Sequence, residues 1–146
     1  MMALELNGAV VAQARQPPFY AVHGTPDTLD GRYEMIVLHL FLLLERLQRE
    51  GEAGAVLSRT ISETFIADTD TEMRELGVGD LAVPRKVKRA AAGLFERSAQ
   101  YQRALDSAES VLLERFLDEV LGPTLAKTRP TGELADYVRR ARRHLR

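Results

Sequence analysis

A ten-residue apolar run, residues 35–44, is the feature that most constrains the fold. Only His39 interrupts it, Glu34 precedes it, and Glu45 follows it. A helix that spans a bilayer needs about 20 apolar residues, whereas a run of about 10 to 14 is typical of a buried helix. The run therefore predicts a helix over residues 31–50 that is apolar nearly all round in its middle and lies at the centre of a protein core.

Glycine and proline divide the rest of the chain into helices, since both disfavour helix interiors. Pro17 and Pro18 end a first helix, the GEAG sequence at 51–54 stops the second, and Gly77 is expected to cap the third in a left-handed conformation. No window alternates with period two for long enough to form a strand. The pattern predicts an all-α fold, a single compact domain over residues 1–146 with about six helices around the central one. The expected helices cover about 4–15, 31–50, 54–76, 81–106, 108–121 and 131 to the end of the chain.

The third predicted helix places a carboxylate on its apolar stripe. Because an unpaired buried carboxylate is costly, Asp68 is expected to bind a loop backbone or a basic side chain, with Arg32 and Lys88 as the first candidates. Asp70 and Arg74 point the other way and are expected to form an i,i+4 ion pair. The stripe that includes Asp68, read at about 100° per residue, consists of Leu57, Ile61, Phe65 and Leu76.

Charge is distributed unevenly along a chain whose net charge is −1. Residues 45–82 carry nine acids against four bases, residues 83–106 six bases against two acids, and residues 127–146 seven bases against two acids. One interpretation is that the acidic third helix packs beside the basic fourth; the other is that one of these faces meets a charged partner. The last helix directs a group of bases away from its apolar stripe, a candidate contact with a membrane or ribosome: Arg139, Arg140, Arg143 and Arg146.

Few residues could carry catalysis or hold a metal. Cysteine is absent, which removes disulfides and thiolate chemistry. The GVG sequence at 77–79 lacks a preceding strand and a following lysine, so it does not predict a phosphate loop. The segment from Asp68 begins like a calcium loop, but Met73 occupies the required glycine position and Gly79 the glutamate position. His39 is expected to be a hydrogen-bonded core residue, with haem binding as the alternative. The sequence therefore predicts neither an enzyme nor a metal or cofactor site.

Four short motifs follow one another along the chain. A P-D-T-x-D-G-R-[FY] loop occupies residues 26–33, and an L-H-x-F-L helix occupies residues 38–42. A D-x-D-x-x-[LM]-R-E-x-G-V-G-D-L segment occupies residues 68–81, and a lysine-bearing segment follows at 86–88. Together these motifs resemble the ubiquinol–cytochrome c chaperone family, assembly factors of the respiratory cytochrome bc complex. The resemblance covers about residues 8–105 and is weak over the C-terminal helices at 107–146.

The resemblance implies an all-helical, non-enzymatic chaperone that needs no cofactor. Members of the family bind newly made cytochrome b, and the mitochondrial ones do so with a small partner subunit near the ribosomal exit. The N-terminus resembles neither a signal peptide nor a transit peptide, so we expect a cytoplasmic bacterial member, peripheral on the cytoplasmic face of the inner membrane. Candidate partner-binding residues are Asp27, Asp30, Arg32, Asp70, Arg74, Asp80, Lys86 and Lys88; structural roles are expected for His39, Asp68 and Gly77.

A chaperone for transmembrane segments needs an apolar groove bordered by charges, because an exposed apolar patch on a small domain usually marks an interaction site. We expect the central helix to be mostly core, with such a groove at its rim. The alternative function is an RNA- or ribosome-binding module that uses the basic fourth and last helices. A steep salt dependence of binding would distinguish that module from a chaperone.

Overall fold

A computed structural model describes residues 2–121 and 132–145, and every regular element in them is helical. The all-α prediction is therefore confirmed. A short proline-initiated helix follows the first helix, and a 3-10 turn joins the central helix to the next one. The elements are α1 Met2–Ala14, α2 Pro17–Ala21, α3 Leu29–Leu47, a 3-10 turn Gln48–Glu50, α4 Gly51–Glu75, α5 Val83–Asp106, α6 Val111–Leu121 and α7 Gly132–Leu145.

Helix α3 is the central helix, as the apolar run predicts. It contacts α1, α4, α5, α6 and α7. One side of α3, including Leu38, joins a core with α5, α6 and α7, while the other side, including Leu40, joins a core with α1, α4 and α5. Burial on both sides explains why its middle has no polar face. No helix in the described part of the chain is long and apolar enough to cross a membrane.

The predicted ends of the first two helices lie close to the observed ones, but another helix follows each end closely. Helix α1 ends at Ala14, before the two prolines, as predicted. Pro17 and Pro18 then begin α2, because proline has the φ angle of a first helical turn and needs no N–H bond there. The 3-10 turn that continues α3 ends at the GEAG sequence, as predicted, but α4 begins at Gly51 rather than near residue 54. Gly51 has a φ of 62°, which allows the sharp corner after α3. A Cβ on Gly54 would collide with the Leu47 carbonyl, so this glycine permits the close approach of α4 to the end of α3.

The loop before α3 has a fixed conformation, as its composition suggests. Thr28 caps α3: the Gly31 N–H donates to its side-chain oxygen at 3.1 Å. A Cβ on Gly31 would collide with the backbone carbonyl of Pro26, so glycine is required where the loop folds back over the first turn. The PDTLDGR sequence therefore has a structural reason for its glycine, independent of any partner.

His39 is a hydrogen-bonded core residue, as expected. Its Nδ1 lies 2.7 Å from the Met35 carbonyl, which can only accept, so Nδ1 carries the proton. Its Nε2 is then an acceptor for the Tyr137 hydroxyl of α7 at 2.8 Å. Burial lowers the pKa of His39, with the Met35 hydrogen bond opposing that effect. Since both ring nitrogens already have partners, a haem could bind here only by breaking an internal hydrogen bond.

Two ion pairs that the sequence did not predict fasten other helices to α3. Arg97 of α5 donates three hydrogen bonds to the buried carboxylate of Glu34, at 2.9 to 3.2 Å. Burial raises the pKa of Glu34, and the Arg97 guanidinium opposes this shift. Arg142 of α7 donates to both oxygens of Glu45 at 2.8 to 3.1 Å and to Asp106 of α5 at 2.7 Å. The two carboxylates that flank the apolar run, Glu34 and Glu45, thus form ion pairs with other helices instead of facing solvent.

Candidate functional site: a groove between α3, α4 and α5

A groove of about 780 Å³ lies between α3, α4 and α5. The side chains of Phe41 and Leu94, both nearly fully buried, contribute its apolar floor together with Leu44. Phe95 stands at its edge with 64% of its surface exposed. The apolar run thus fills the core and also supplies part of an accessible surface, which is the arrangement expected at the rim of the central helix.

The α4 wall of the groove is built from small residues. Gly51, Ala55, Ser58 and Ser62 line it at spacings of four, three and four, which places them on one face of the helix. Small side chains let another helix approach closely, and serine hydroxyls can hydrogen-bond across the interface. On the α5 wall, the Ser98 hydroxyl is buried and has no hydrogen-bond partner among the described residues. The walls therefore suit a closely packed helix that brings some polar groups.

Charged and polar groups border this apolar floor. Arg59 and Glu63 of α4 are exposed on the lining, and Glu45 of α3 is held in place by Arg142. Gln102 of α5 also lines the groove. Its side-chain nitrogen donates at 2.7 Å to Asp106, the second carboxylate that Arg142 binds. Helix α7 does not line the groove, but its arginine positions the polar groups at the border.

The predicted partner-binding residues form two groups, and neither lines the groove. In the first, Arg32 Nε donates to Asp27 at 2.8 Å on an exposed surface, and Asp30 lies nearby in the first turn of α3. The Asp27 hydrogen bond, more than its charge alone, raises the pKa of Arg32. A shallow depression beside this pair is lined also by Arg15 and Tyr20.

The second group lies at the corner between α4 and α5. Arg74 donates to Asp70 at 3.0 Å, which confirms the predicted i,i+4 pair, and also to Asp80 at 2.7 Å across the corner. Gly77 has a φ of 83°, which confirms the left-handed cap. Lys86 and Lys88 are exposed in the first turns of α5. No described hydrogen bond or ion pair joins this group to the one around Arg32.

The prediction for Asp68 is wrong in its burial and in its candidate partners. The residue is exposed, and its carboxylate accepts a hydrogen bond from the side-chain nitrogen of Asn7 in α1 at 3.1 Å. Arg32 binds Asp27 instead, and Lys88 is exposed. Leu76, assigned to the same buried stripe, is 60% exposed. The stripe is buried only where α4 has neighbours, at Ile61 and Phe65, and not in its last turn.

The C-terminal arginines do not form one outward surface. Arg139 donates to the Ser110 carbonyl and lies 3.6 Å from Glu114 and 3.5 Å from Asp136, so its expected outward orientation is wrong. Arg140 and Arg143 are exposed. Their contact with a membrane or ribosome stays a prediction. Arg146 lies outside the described residues.

Sequence reasoning missed most of the groove. Its α4 wall carries a recognisable signal, small residues repeated every three or four positions, whereas its α5 wall mixes aromatic, small and polar residues. Among residues 2–121 and 132–145, no three His, Cys, Asp or Glu side chains are clustered so as to hold a metal ion. The chemistry available in the groove is thus apolar contact with hydrogen bonding at its borders.

Residues 21–146 match the family model described as ubiquinol-cytochrome C chaperone, a range that includes the C-terminal helices. The chain is similar to ubiquinol-cytochrome-c reductase complex assembly factor 1 of Xenopus laevis. The two are 21% identical over 138 residues, which cover 94% of this chain and 69% of that protein. The fold is similar to the crystal structure of the Cbp3 homolog from Brucella abortus. The TM-score is 0.86 at 39% identity, over 99% of this chain and 80% of the other.

Proposed function

This chain belongs to the ubiquinol–cytochrome c chaperone family, and we propose that it supports assembly of the ubiquinol–cytochrome c reductase complex by binding newly made cytochrome b. The family is one of assembly chaperones, which implies a binding function without catalysis. The observation that carries the proposal is the groove between α3, α4 and α5. Its occupant would be an apolar transmembrane segment of cytochrome b before that segment enters the membrane or packs into the complex.

The groove has the properties that such a segment requires. A helix that lies in an apolar groove binds through side chains repeated along one face. The accessible apolar surface of Leu44 and Phe95, above the buried Phe41 and Leu94, would remove such a face from water, and each apolar side chain buried in this way stabilises the complex by about 1.5–3 kcal/mol. The small residues of α4 allow the backbone of the bound helix to come close. The groove is already formed, so little conformational entropy is lost when it binds.

The polar border suits the ends of a transmembrane segment. Such segments are joined by charged loops, and their cytoplasmic flanks are rich in lysine and arginine. Glu63 is an exposed carboxylate on the lining, and Arg59 lies one turn before it on α4. These groups would contact the flanking loops of an apolar segment while its centre lies on the floor.

The two exposed charged groups extend this proposal beyond the groove. Asp27, Asp30 and Arg32 near the start of α3 would contact charged loops of cytochrome b or of another subunit. The corner residues Asp70, Arg74 and Asp80, followed by Lys86 and Lys88, would form a second such contact. Support comes from their exposure and from the family motifs that contain them. Each arginine already has an internal carboxylate partner, so any partner would compete with or extend an existing ion pair.

A matched pair of alanine substitutions on α5 tests the groove. Ala99 is exposed and lines the groove, whereas Ala92 is exposed on the same helix and does not line it. Ala99→Asp would place a carboxylate beside the apolar floor, where burial of an unpaired charge is costly. We expect Ala99→Asp to lose cytochrome b and Ala92→Asp to retain it. The measurement is co-purification of cytochrome b from membranes of a bacterium that contains the bc complex, with circular dichroism to verify folding.

The possible outcomes distinguish failure of the proposed function from failure of the groove as the binding site. If the unsubstituted chain brings down no cytochrome b, the proposed function is wrong. If Ala99→Asp and Ala92→Asp both retain cytochrome b, the function stands but the groove is not the binding site. If both variants lose it while remaining folded, the loss reflects the added charge on α5 and not the groove.

A further inference from the structure

The corner between α4 and α5 exposes two large apolar side chains. Leu81 is 97% exposed and Leu76 is 60% exposed. Most leucines of α3, by contrast, are buried in the core. An isolated exposed leucine is ordinary, but two on one short connection form a protruding apolar tip. We call residues 76–81 the corner tip.

The corner tip is held rigidly, so its leucines cannot simply fold back onto the protein. The Val78 N–H donates to the Met73 carbonyl and the Gly77 N–H to the Arg74 carbonyl, both at 3.1 Å. This is a Schellman motif, with Gly77 in the left-handed region. The Arg74 guanidinium then joins Asp70 of α4 to Asp80 of the corner. The backbone and the ion pairs thus fix a conformation that presents Leu81 to water.

The corner tip is convex. A Cβ built on Gly77 or Gly79 would have no atom within 4 Å, so the connection has open space around it. A peptide-binding site needs a concave surface with pockets, which this corner does not supply. A lipid bilayer, by contrast, accepts a convex apolar protrusion because its interface deforms around the inserted side chains.

Four exposed lysine and arginine side chains at the start of α5 adjoin the corner tip. None of them makes an ion pair within the described residues. Nearby acids are fewer: Glu72 and Glu75 are exposed at the end of α4, whereas the carboxylates of the corner are bound by Arg74. Unpaired positive charge therefore exceeds unpaired negative charge beside the tip. The bases occupy the first two turns of α5: Arg85, Lys86, Lys88 and Arg89.

We propose that the corner tip docks the protein on an anionic phospholipid bilayer, with Leu76 and Leu81 entering the interface and the bases of α5 contacting lipid phosphates. Both forces are required, since a few apolar side chains alone give weak binding and a basic surface alone remains in the aqueous layer. A base near a negatively charged leaflet strengthens binding by about fivefold. The surface lies outside the groove, so a bound apolar segment and the bilayer could be engaged together.

Sedimentation of the purified chain with lipid vesicles tests this proposal without any cytochrome b. We expect binding to vesicles that contain phosphatidylglycerol, and much weaker binding to pure phosphatidylcholine. The double variant Leu76→Ser, Leu81→Ser should bind at least about tenfold more weakly. The double variant Arg85→Glu, Arg89→Glu should lose binding to a similar extent and also lose most of its dependence on salt.

Two control variants carry the same chemical changes elsewhere on the surface. Leu4→Ser with Val56→Ser removes exposed apolar groups of α1 and α4, and Arg49→Glu with Arg115→Glu reverses exposed bases of the 3-10 turn and of α6. Both controls should bind vesicles as the unsubstituted chain does. The proposal is overturned if the chain binds no anionic vesicles, if the corner variants bind normally, or if either control loses binding equally.

Discussion

The attachment of α7 to the central helix can be tested by replacing Arg142 with methionine. This change removes the charge but keeps a long apolar side chain. The Arg142 side chain is 11% exposed and that of Glu45 12%, so the pair is largely shielded from water. Asp106, the second partner, is 54% exposed and should contribute little. Breaking a buried pair by removing one partner costs about 3–5 kcal/mol, and we expect about 3 kcal/mol here because the groove border is partly open.

Urea unfolding and thermal unfolding, both followed by far-ultraviolet circular dichroism, measure this change. For a chain of this size each kcal/mol lowers the melting temperature by roughly 2–4 °C, so the variant should melt roughly 6–12 °C lower. The control is Arg143→Met, one residue along and exposed, which should stay within about 0.5 kcal/mol. The double variant Arg142→Met, Glu45→Leu should recover much of the loss, because no buried carboxylate is then left without its partner.

The reasoning is refuted if Arg142→Met costs less than about 1 kcal/mol and resembles the Arg143 control. The ion pair would then behave as a solvent-screened surface pair, and apolar contacts alone would hold α7. If the single variant is destabilised as expected but the double variant is no better, the loss would come from the arginine stem rather than from the orphaned carboxylate.

Two further predictions concern the core and the loop before α3. Burial lowers the pKa of His39, so the unfolded chain binds a proton that the folded side chain excludes. Stability should therefore fall as the pH drops below about 6.5, and urea titrations should show a smaller fall for His39→Gln. Gly31→Ala should destabilise the protein by about 2 kcal/mol or more because of the collision with Pro26. Gly8→Ala, in open space on α1, should instead stabilise it by about 0.8 kcal/mol in the same assay.

Features that depend on residues close in sequence were predictable. The apolar run fixed α3 as a buried helix because its length is too short for a bilayer and its middle lacks a polar face. Asp70 and Arg74 pair because the helix itself places residues four apart side by side. Gly77 ends α4 because glycine adopts the left-handed conformation without strain. The family motifs lie in these same segments, so sequence alone was enough to identify the family.

Tertiary structure decided everything that depends on distances between helices. Asp68 meets Asn7, sixty-one positions away, and Arg142 meets Glu45, ninety-seven positions away. Helical periodicity predicts the face of the helix on which each residue lies. It does not predict which other helix packs against that face, or along how many residues the two helices stay in contact. Leu76 follows the apolar stripe yet is 60% exposed, at the cap that ends α4. The groove and the corner tip arise in the same way, where three helices leave space between them and where one connection projects past the core.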